Sequence, residues 1–341
     1  MRAATHGLDL PRLTAYLEQH VAGLRGPIRL EKFPGGQSNP TFHVATATGP
    51  LVLRRQPPGA LLESAHAVDR EYRVMRALRA SCVPVPEVHH LCTDSSVIGS
   101  WFYVMEYIDG RVFADPALPG LTPAERRCAY DDANRVLAAI HSVDIEAAGL
   151  GDFGRPGNYY ARQVRRWTRQ YRASETQRIA AMEALMGWLP EHIPPDDGRV
   201  ALIHGDYRLD NLMFAPDVLE VRAVFDWELS TLGHPVADLA YLCMKRRIGT
   251  DLPIPGLGGL DLQTLGIPGE ADFLAAYCRR IGIESVEPWS FYLACSFFRL
   301  AAICQGVFKR ALDGNASNER AAELGTMVAP LAALGMEAAG A

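Results

Sequence analysis

His204, Asp206 and Asn211 stand close together in the segment Leu202-Ile203-His204-Gly205-Asp206-Tyr207-Arg208-Leu209-Asp210-Asn211-Leu212-Met213-Phe214. A short apolar run delivers a histidine and then an acid, and an asparagine follows five residues after that acid. These residue types suit phosphoryl transfer, which needs little covalent help but much positioning and charge neutralisation. A carboxylate must sit by the attacking hydroxyl, and oxygen ligands must hold Mg²⁺ on the phosphates. Asp206 and Asn211 can supply one of each from a single loop. Fifteen positions further on, Ala223-Val224-Phe225 ends in Asp226. A carboxylate closing a buried strand is costly unless it is paired or binds a metal. Alone, either aspartate reads as a turn acid, a cap or an ion-pair partner. Together their spacing favours Asp206 as base, with Asn211 and Asp226 as metal ligands.

The elements that must position these residues fall into two groups. Leu8 to His20 has apolar residues at helical spacing. Ile28 to Phe33, Thr41 to Thr46 and Leu51 to Arg54 read as strands separated by Gly- and Pro-bearing turns. Glu63 to Ala80 reads as a helix that Pro84 and Pro86 stop from continuing, and Val88 to Cys92 and Trp101 to Tyr107 as two more strands. Beyond Asp109-Gly110 the pattern is helical: Thr122 to Val143, Tyr159 to Ser174, Thr176 to Leu189, Pro235 to Arg247, Glu270 to Ile281 and Pro288 to Leu312. Val200 to Ile203 and Val221 to Phe225 are strand-like exceptions that flank the polar cluster, and Pro253 to Gly269 reads as a surface loop. This is an α+β arrangement. A small lobe over residues 1–108 is expected to carry five strands and one helix, and residues 109–341 a larger helical lobe, with a ligand cleft between them.

The pattern H-G-D-x-x-x-x-N followed by Phe225-Asp226-Trp227 resembles the catalytic and metal loops of the aminoglycoside phosphotransferase and choline-kinase group. The likeness runs from about Leu30 to Gly314. It implies a bilobal protein-kinase-like fold with an antiparallel five-stranded first lobe. It also implies Asp206 as catalytic base, Asn211 and Asp226 on Mg²⁺, and His204 as a brace of the loop. Asp238 resembles a structural aspartate of the group, although a first-turn helix acid is an equally good account. In the first lobe, Gly36, Ser38 and Asn39 lie where a phosphate-covering loop belongs. Alternation places Val52 and Arg54 on one face of the third strand. Arg54 stands where the kinase pattern has lysine, a departure that changes reach and geometry, and Glu71 is its candidate partner. Glu106 and Ile108 fall in the hinge that would read the base of ATP, or of GTP.

The acceptor is expected to be a small molecule, because Pro235 follows Asp226 within ten residues and leaves little room for a peptide platform. Lys245, Arg246, Arg247, Arg299, Lys309 and Arg310 read as solvated helix faces or as contacts to an anionic acceptor, with Arg299 the chosen substrate residue. Gly99 to Tyr107 and Ser296 to Ala301 resemble the kinase-like region associated with acyl-CoA dehydrogenases, which implies a hydroxyacyl-CoA acceptor. A cationic aminoglycoside is the second choice, and a catalytically silent nucleotide-binding module the third. The 341 residues carry a net charge of −5, with 48% hydrophobic and 21% charged residues. That supplies core material and no basic footprint for nucleic acid. Seven cysteines without a C-x-x-C pair argue against zinc. With no secretory signal read at the start, they point to reduced thiols in the cytoplasm. No apolar run of the ~20 residues of a membrane span is evident. A homodimer is left open.

Overall fold

The computed structural model describes residues 7–33, 39–57, 67–314 and 319–340. It has a protein-kinase-like α+β architecture in two compact units. One comprises Met1–Gly110 with Arg222–Leu229, the other Arg111–Val221 with Ser230–Ala341. The boundary read from sequence assigned residues 222–229, and so Asp226, to the second lobe. They cluster instead with the first.

In the first unit, α1 (Leu10–His20) precedes three strands, β1 (Arg29–Lys32), β2 (Thr41–Thr46) and β3 (Gly49–Arg55). Asp9 caps α1 by accepting from the N–H of Arg12 at 3.1 Å, which satisfies one of the orphan donors of the first turn. Helix α2 (Val68–Leu78), β4 (Val88–Cys92), α3 (Ser95–Ile98) and β5 (Phe102–Glu106) follow. The five strands form one antiparallel sheet in the order β1-β2-β3-β5-β4. Helix α2 is shorter than the sequence suggested, and the described part of that segment begins at Ala67. Leu13, Leu17, Leu30, Phe42, Val44 and Val104 share one buried cluster, so α1 covers a face of the sheet. On α2, Val68, Val74, Met75 and Leu78 are buried, and Glu71 lies on the same stripe. The 3.6-residue period thus carries one carboxylate inward with four apolar side chains.

The second unit contains β6 (Arg111–Val112), α4 (Pro123–His141), α5 (Tyr159–Ser174), α6 (Ala180–Glu191) and β7 (Ala201–Ile203). Strand β8 (Leu212–Phe214) pairs antiparallel with β6. Strand β9 (Val221–Val224) starts on the last residue of Arg111–Val221, and its other three residues belong to Arg222–Leu229 of the first unit. Then come β10 (Thr231–Gly233), α7 (Val236–Cys243), α8 (Leu262–Leu265), α9 (Glu270–Ile281), α10 (Trp289–Leu312) and α11 (Val328–Ala339). The short strands β6, β8 and β10, the four-residue α8 inside the expected loop, and α11 were not read from the sequence. Thr122 and Glu125 close a capping box at the start of α4, with bonds of 2.7 and 3.3 Å. Helix α10 is buried on most of its surface and packs against α5, α6, α7 and α11. It is long and apolar enough to cross a membrane by length and composition, which corrects the sequence reading. However, 72% of its apolar window is buried inside the fold, as in a core helix.

Candidate active site

The apparatus of the second unit begins at the end of β7. Strand β10 pairs antiparallel with β7, Thr231 opposite Ile203 and Gly233 opposite Ala201. That pairing sets the start of α7 beside the residues that leave β7. Gly205 takes φ +82, a conformation costly for a side-chain-bearing residue. Asp238, in the first turn of α7, is completely buried. It accepts the backbone N–H of His204 at 2.6 Å and of Gly205 at 2.8 Å. His141 Nε2 lies 3.4 Å from it, and Tyr277 Oη lies 2.6 Å from His141 Nδ1. Because the carboxylate only accepts, Nε2 carries the proton that meets it. Burial alone would raise the Asp238 carboxyl; the His141 bond and the backbone donors hold it below its ordinary value. The geometry shows both sequence readings for Asp238 at once: it is a first-turn acid of α7 and a brace of the His204–Gly205 backbone.

Within the loop, His204 is fully buried and its Nδ1 accepts from the N–H of Asp206 at 3.2 Å. Asn211 Nδ2 donates to the backbone oxygen of Asp206 at 2.8 Å and to its Oδ2 at 3.2 Å. Both bonds use the amide nitrogen, so the Asn211 carbonyl oxygen is turned to another direction. Arg208 bridges two acids, with Nε 3.2 Å from Asp206 Oδ1 and Nη1 3.2 Å from Asp210 Oδ2. Burial, then the charge of Asp206, pushes the Tyr241 phenol up, so it stays protonated beside that carboxylate. Asp206 is thereby held on the backbone side by His204 and Asn211, and on the carboxylate side by Asn211 and Arg208.

Arg299 was expected to touch the acceptor. The structure instead directs its Nη2 to the backbone oxygen of Gly205. Its guanidinium lies over the Tyr241 ring at 5.0 Å and the Trp167 ring at 5.6 Å. A planar cation stacked on aromatic faces and aimed at a carbonyl is a brace. No periodicity rule could have shown this, since the partner lies 94 residues away.

The first unit carries the second group. Val52 is buried on β3, and Arg54 follows it on the same face. Arg54 Nε donates to Glu71 Oε1 at 3.1 Å, and Nη2 donates to Asp226 Oδ1 at 2.5 Å. Glu71 also accepts from the Tyr103 hydroxyl at 3.1 Å and from Asn39 Nδ2 at 3.0 Å. Burial pushes the Glu71 carboxyl up to about 7 against the pull of the Arg54 guanidinium. Asn39 was expected to present donors to phosphate; its amide nitrogen is engaged with Glu71 and, at 3.4 Å, with Glu228. Gly36 and Ser38 lie outside the described residues. Glu106 is exposed at the end of β5, where its carboxylate accepts from the N–H of Glu87 at 3.1 Å, and Ile108 is half-buried. Neither is part of the Arg54 cluster.

Asp226 adopts φ +64, one of three positive-φ non-glycine residues among those described. Backbone strain of this kind persists where surrounding structure dictates it and gathers at functional sites. Carboxylate oxygens of Glu71, Asp226 and Glu228 lie within 4.8 Å of one another, an all-oxygen donor set suited to a hard cation. Glu228 was not singled out from the sequence, although its place two residues after Asp226 was a usable signal.

The sequence profile of the phosphotransferase enzyme family matches residues 29–289. The chain belongs to that family. Among relatives of this phosphotransferase-family chain, acyl-CoA dehydrogenase family member 10 of Mus musculus is 50% identical over 324 residues. The match takes in 93% of this chain and 30% of the relative. Acyl-CoA dehydrogenase family member 11 of Rattus norvegicus is 43% identical over 337 residues, 97% of this chain and 43% of the relative. The chain therefore spans less than half the length of these curated relatives. A crystal structure of a protein assigned as an aminoglycoside phosphotransferase from Ralstonia eutropha is 50% identical and superposes with a TM-score of 0.89, covering 98% of each chain.

Proposed function

We propose that this phosphotransferase-family chain moves the γ-phosphoryl group of ATP, as its magnesium complex, to the hydroxyl of a small acceptor, with a hydroxyacyl-CoA as that acceptor. The observation that carries the reading is the fixation of Asp206. Its loop is held by Asp238 and Arg299 at the backbone, and by His204 and Asn211 at Asp206 itself. A surface turn acid needs no such support. A group that must meet an attacking hydroxyl does, because misplacement by ~1 Å can cost ~10²-fold in rate.

The residues fit a magnesium ion. Asn211 keeps a carbonyl oxygen clear of its own loop bonds, and Asp226 lies in a cluster of carboxylates. Each is an oxygen donor of the kind the ion would take, and the ion when bound neutralises phosphate charge. Asp206 orients the acceptor hydroxyl and takes its proton late, in a loose transition state. Arg54 contributes a fixed positive charge, kept in place by Glu71, for the phosphates. The acyl-CoA acceptor is supported by the names of the relatives, which describe acyl-CoA dehydrogenases.

Release of ADP during incubation with Mg·ATP and a panel of hydroxyacyl-CoA, hydroxy acid and aminoglycoside acceptors tests the reading. Asp206→Asn keeps size and removes the base. It is expected to lower kcat by about 10²–10⁴ and leave Mg·ATP affinity within about threefold. Near-normal turnover by this variant would remove Asp206 from the chemistry.

A further inference from the structure

Next to the Asp206 loop, within the second unit, lies a cavity of about 220 Å³. Arg208 and Asp210 of the loop line it, together with Lys245 and Arg246 of the turn after α7 and the apolar walls Ile254 and Leu257. Three of these four charged groups are cationic. Asp210 is taken by Arg208 at 3.2 Å. Lys245 donates from Nζ to the backbone oxygen of Pro255 at 3.1 Å and has no carboxylate within ion-pair distance among the described residues. Arg246 is 7% exposed. Its Nε donates to the backbone oxygen of Pro268 at 3.1 Å, its guanidinium lies 4.5 Å from the Phe273 ring centre, and its Nη2 is buried without a hydrogen-bond partner.

A cation withdrawn from water with no carboxylate in ion-pair contact is destabilising, and such a group is a functional-site candidate. Burial and the nearby Arg208 charge lower the Lys245 ammonium to about 8, against the weaker pull of Asp210 and Asp206. The wall opposite is pinned. Leu257 N–H donates to the backbone oxygen of Lys245 at 2.7 Å, and Gly258 N–H to that of Ile248 at 2.7 Å. A Cβ on Gly256 would come within 2.4 Å of the backbone oxygens of Lys245 and Ile248, so only glycine permits this approach. The cavity is therefore preorganised. It has room for several waters, enough for a short acid or one end of a longer molecule.

We propose that this cavity is an anion subsite, in which Lys245 and Arg246 seat a carboxylate or phosphate group carried by the acceptor. Arg208 lines the cavity and also meets Asp206, so a chain anchored there reaches the loop that holds the candidate base. That last step rests on the role proposed for Asp206; the binding of the anion does not.

Calorimetry without nucleotide, using inorganic phosphate and butyrate as separate probes, tests the subsite. Wild-type protein is expected to bind at least one of them. Lys245→Gln is expected to weaken that binding by about tenfold or more, and Lys245→Arg to retain it within about threefold, as for loss and conservation of a charge-assisted contact. Mg·ATP binding by both variants reports that they are folded. Binding of phosphate alone assigns the anion to a phosphate ester, and binding of butyrate alone to a carboxylic acid. Binding of neither probe, or binding indifferent to Lys245→Gln, overturns the proposal. If the probes bind through Lys245 while no acceptor is phosphorylated, the phosphotransfer reading fails and the subsite stands.

Discussion

Replacing Lys245 by Met should make the protein more stable near neutral pH. The ammonium is lowered from 10.5 to about 8, with burial as the main cause and repulsion by Arg208 second, partly offset by Asp210 and Asp206. At about 1.36 kcal/mol for each tenfold change in proton affinity, that difference corresponds to roughly 3 kcal/mol of destabilisation while the lysine is charged in the folded state. Methionine is comparable in length, flexible and apolar, and fills the same space. It loses the bond from Nζ to the Pro255 oxygen, worth about 1 kcal/mol net. The expected gain at pH 7 is then about 2 kcal/mol. The sign has a clear pH signature. Between about 8 and 10.5 the unfolded chain holds a proton at this residue that the folded chain has released, so wild-type stability rises with pH across that window. Above about 10.5 lysine is neutral in both states, and the variant should be about 1 kcal/mol less stable than wild type, for want of the hydrogen bond. Urea unfolding of both proteins at pH 7 and at pH 10.5 and above measures the difference. A variant that is less stable at pH 7, or a difference independent of pH, would refute the view of Lys245 as a part-buried cation whose desolvation outweighs its attraction to Asp210 and Asp206.

Asp226→Ala is expected to abolish turnover and to weaken Mg²⁺-dependent nucleotide binding, because it removes a proposed metal ligand; unchanged Mg·ATP affinity by calorimetry would disprove the assignment. Asp238→Ala leaves the His204 and Gly205 N–H groups buried without their acceptor, and should lower unfolding free energy by about 3–5 kcal/mol in urea titration. Arg299→Ala should lower kcat by roughly 10–100-fold by loosening the loop at Gly205, with the acceptor KM changed by less than about twofold. A large rise in acceptor KM with kcat intact would instead return Arg299 to the acceptor site.

The chemistry-bearing residues were legible in the sequence because their roles depend on short spacings. Asp206 and Asn211 are five residues apart on one loop, so local geometry alone brings the asparagine nitrogen to the aspartate. Alternation along β3 likewise put Val52 and Arg54 on one face, whereas Glu71, named only as a candidate partner of Arg54, is shown on the buried stripe of α2 by the fold. The five strands of the sheet could be read from their apolar runs and turns, although their order could not, because pairing is decided by contacts far apart along the chain.

What the tertiary structure decided is which long-range partner each polar group found. Arg299 reads in sequence as a cation on a helix, suited to solvent or to an anionic acceptor. Only the packing of α10 places it on Gly205 and between two aromatic rings. Asp238 was divided between two roles, and it fills both because the pairing of β10 with β7 set it under the backbone of His204 and Gly205. Lys245 read in sequence as a solvated lysine or as a contact to an anionic acceptor, and its partial burial beside Arg208 and Arg246 follows from how the Pro253 to Leu257 wall closes over the turn after α7. Spacing determines which groups a loop can offer. Burial and partner determine what each group's charge does, and those are properties of the folded chain alone.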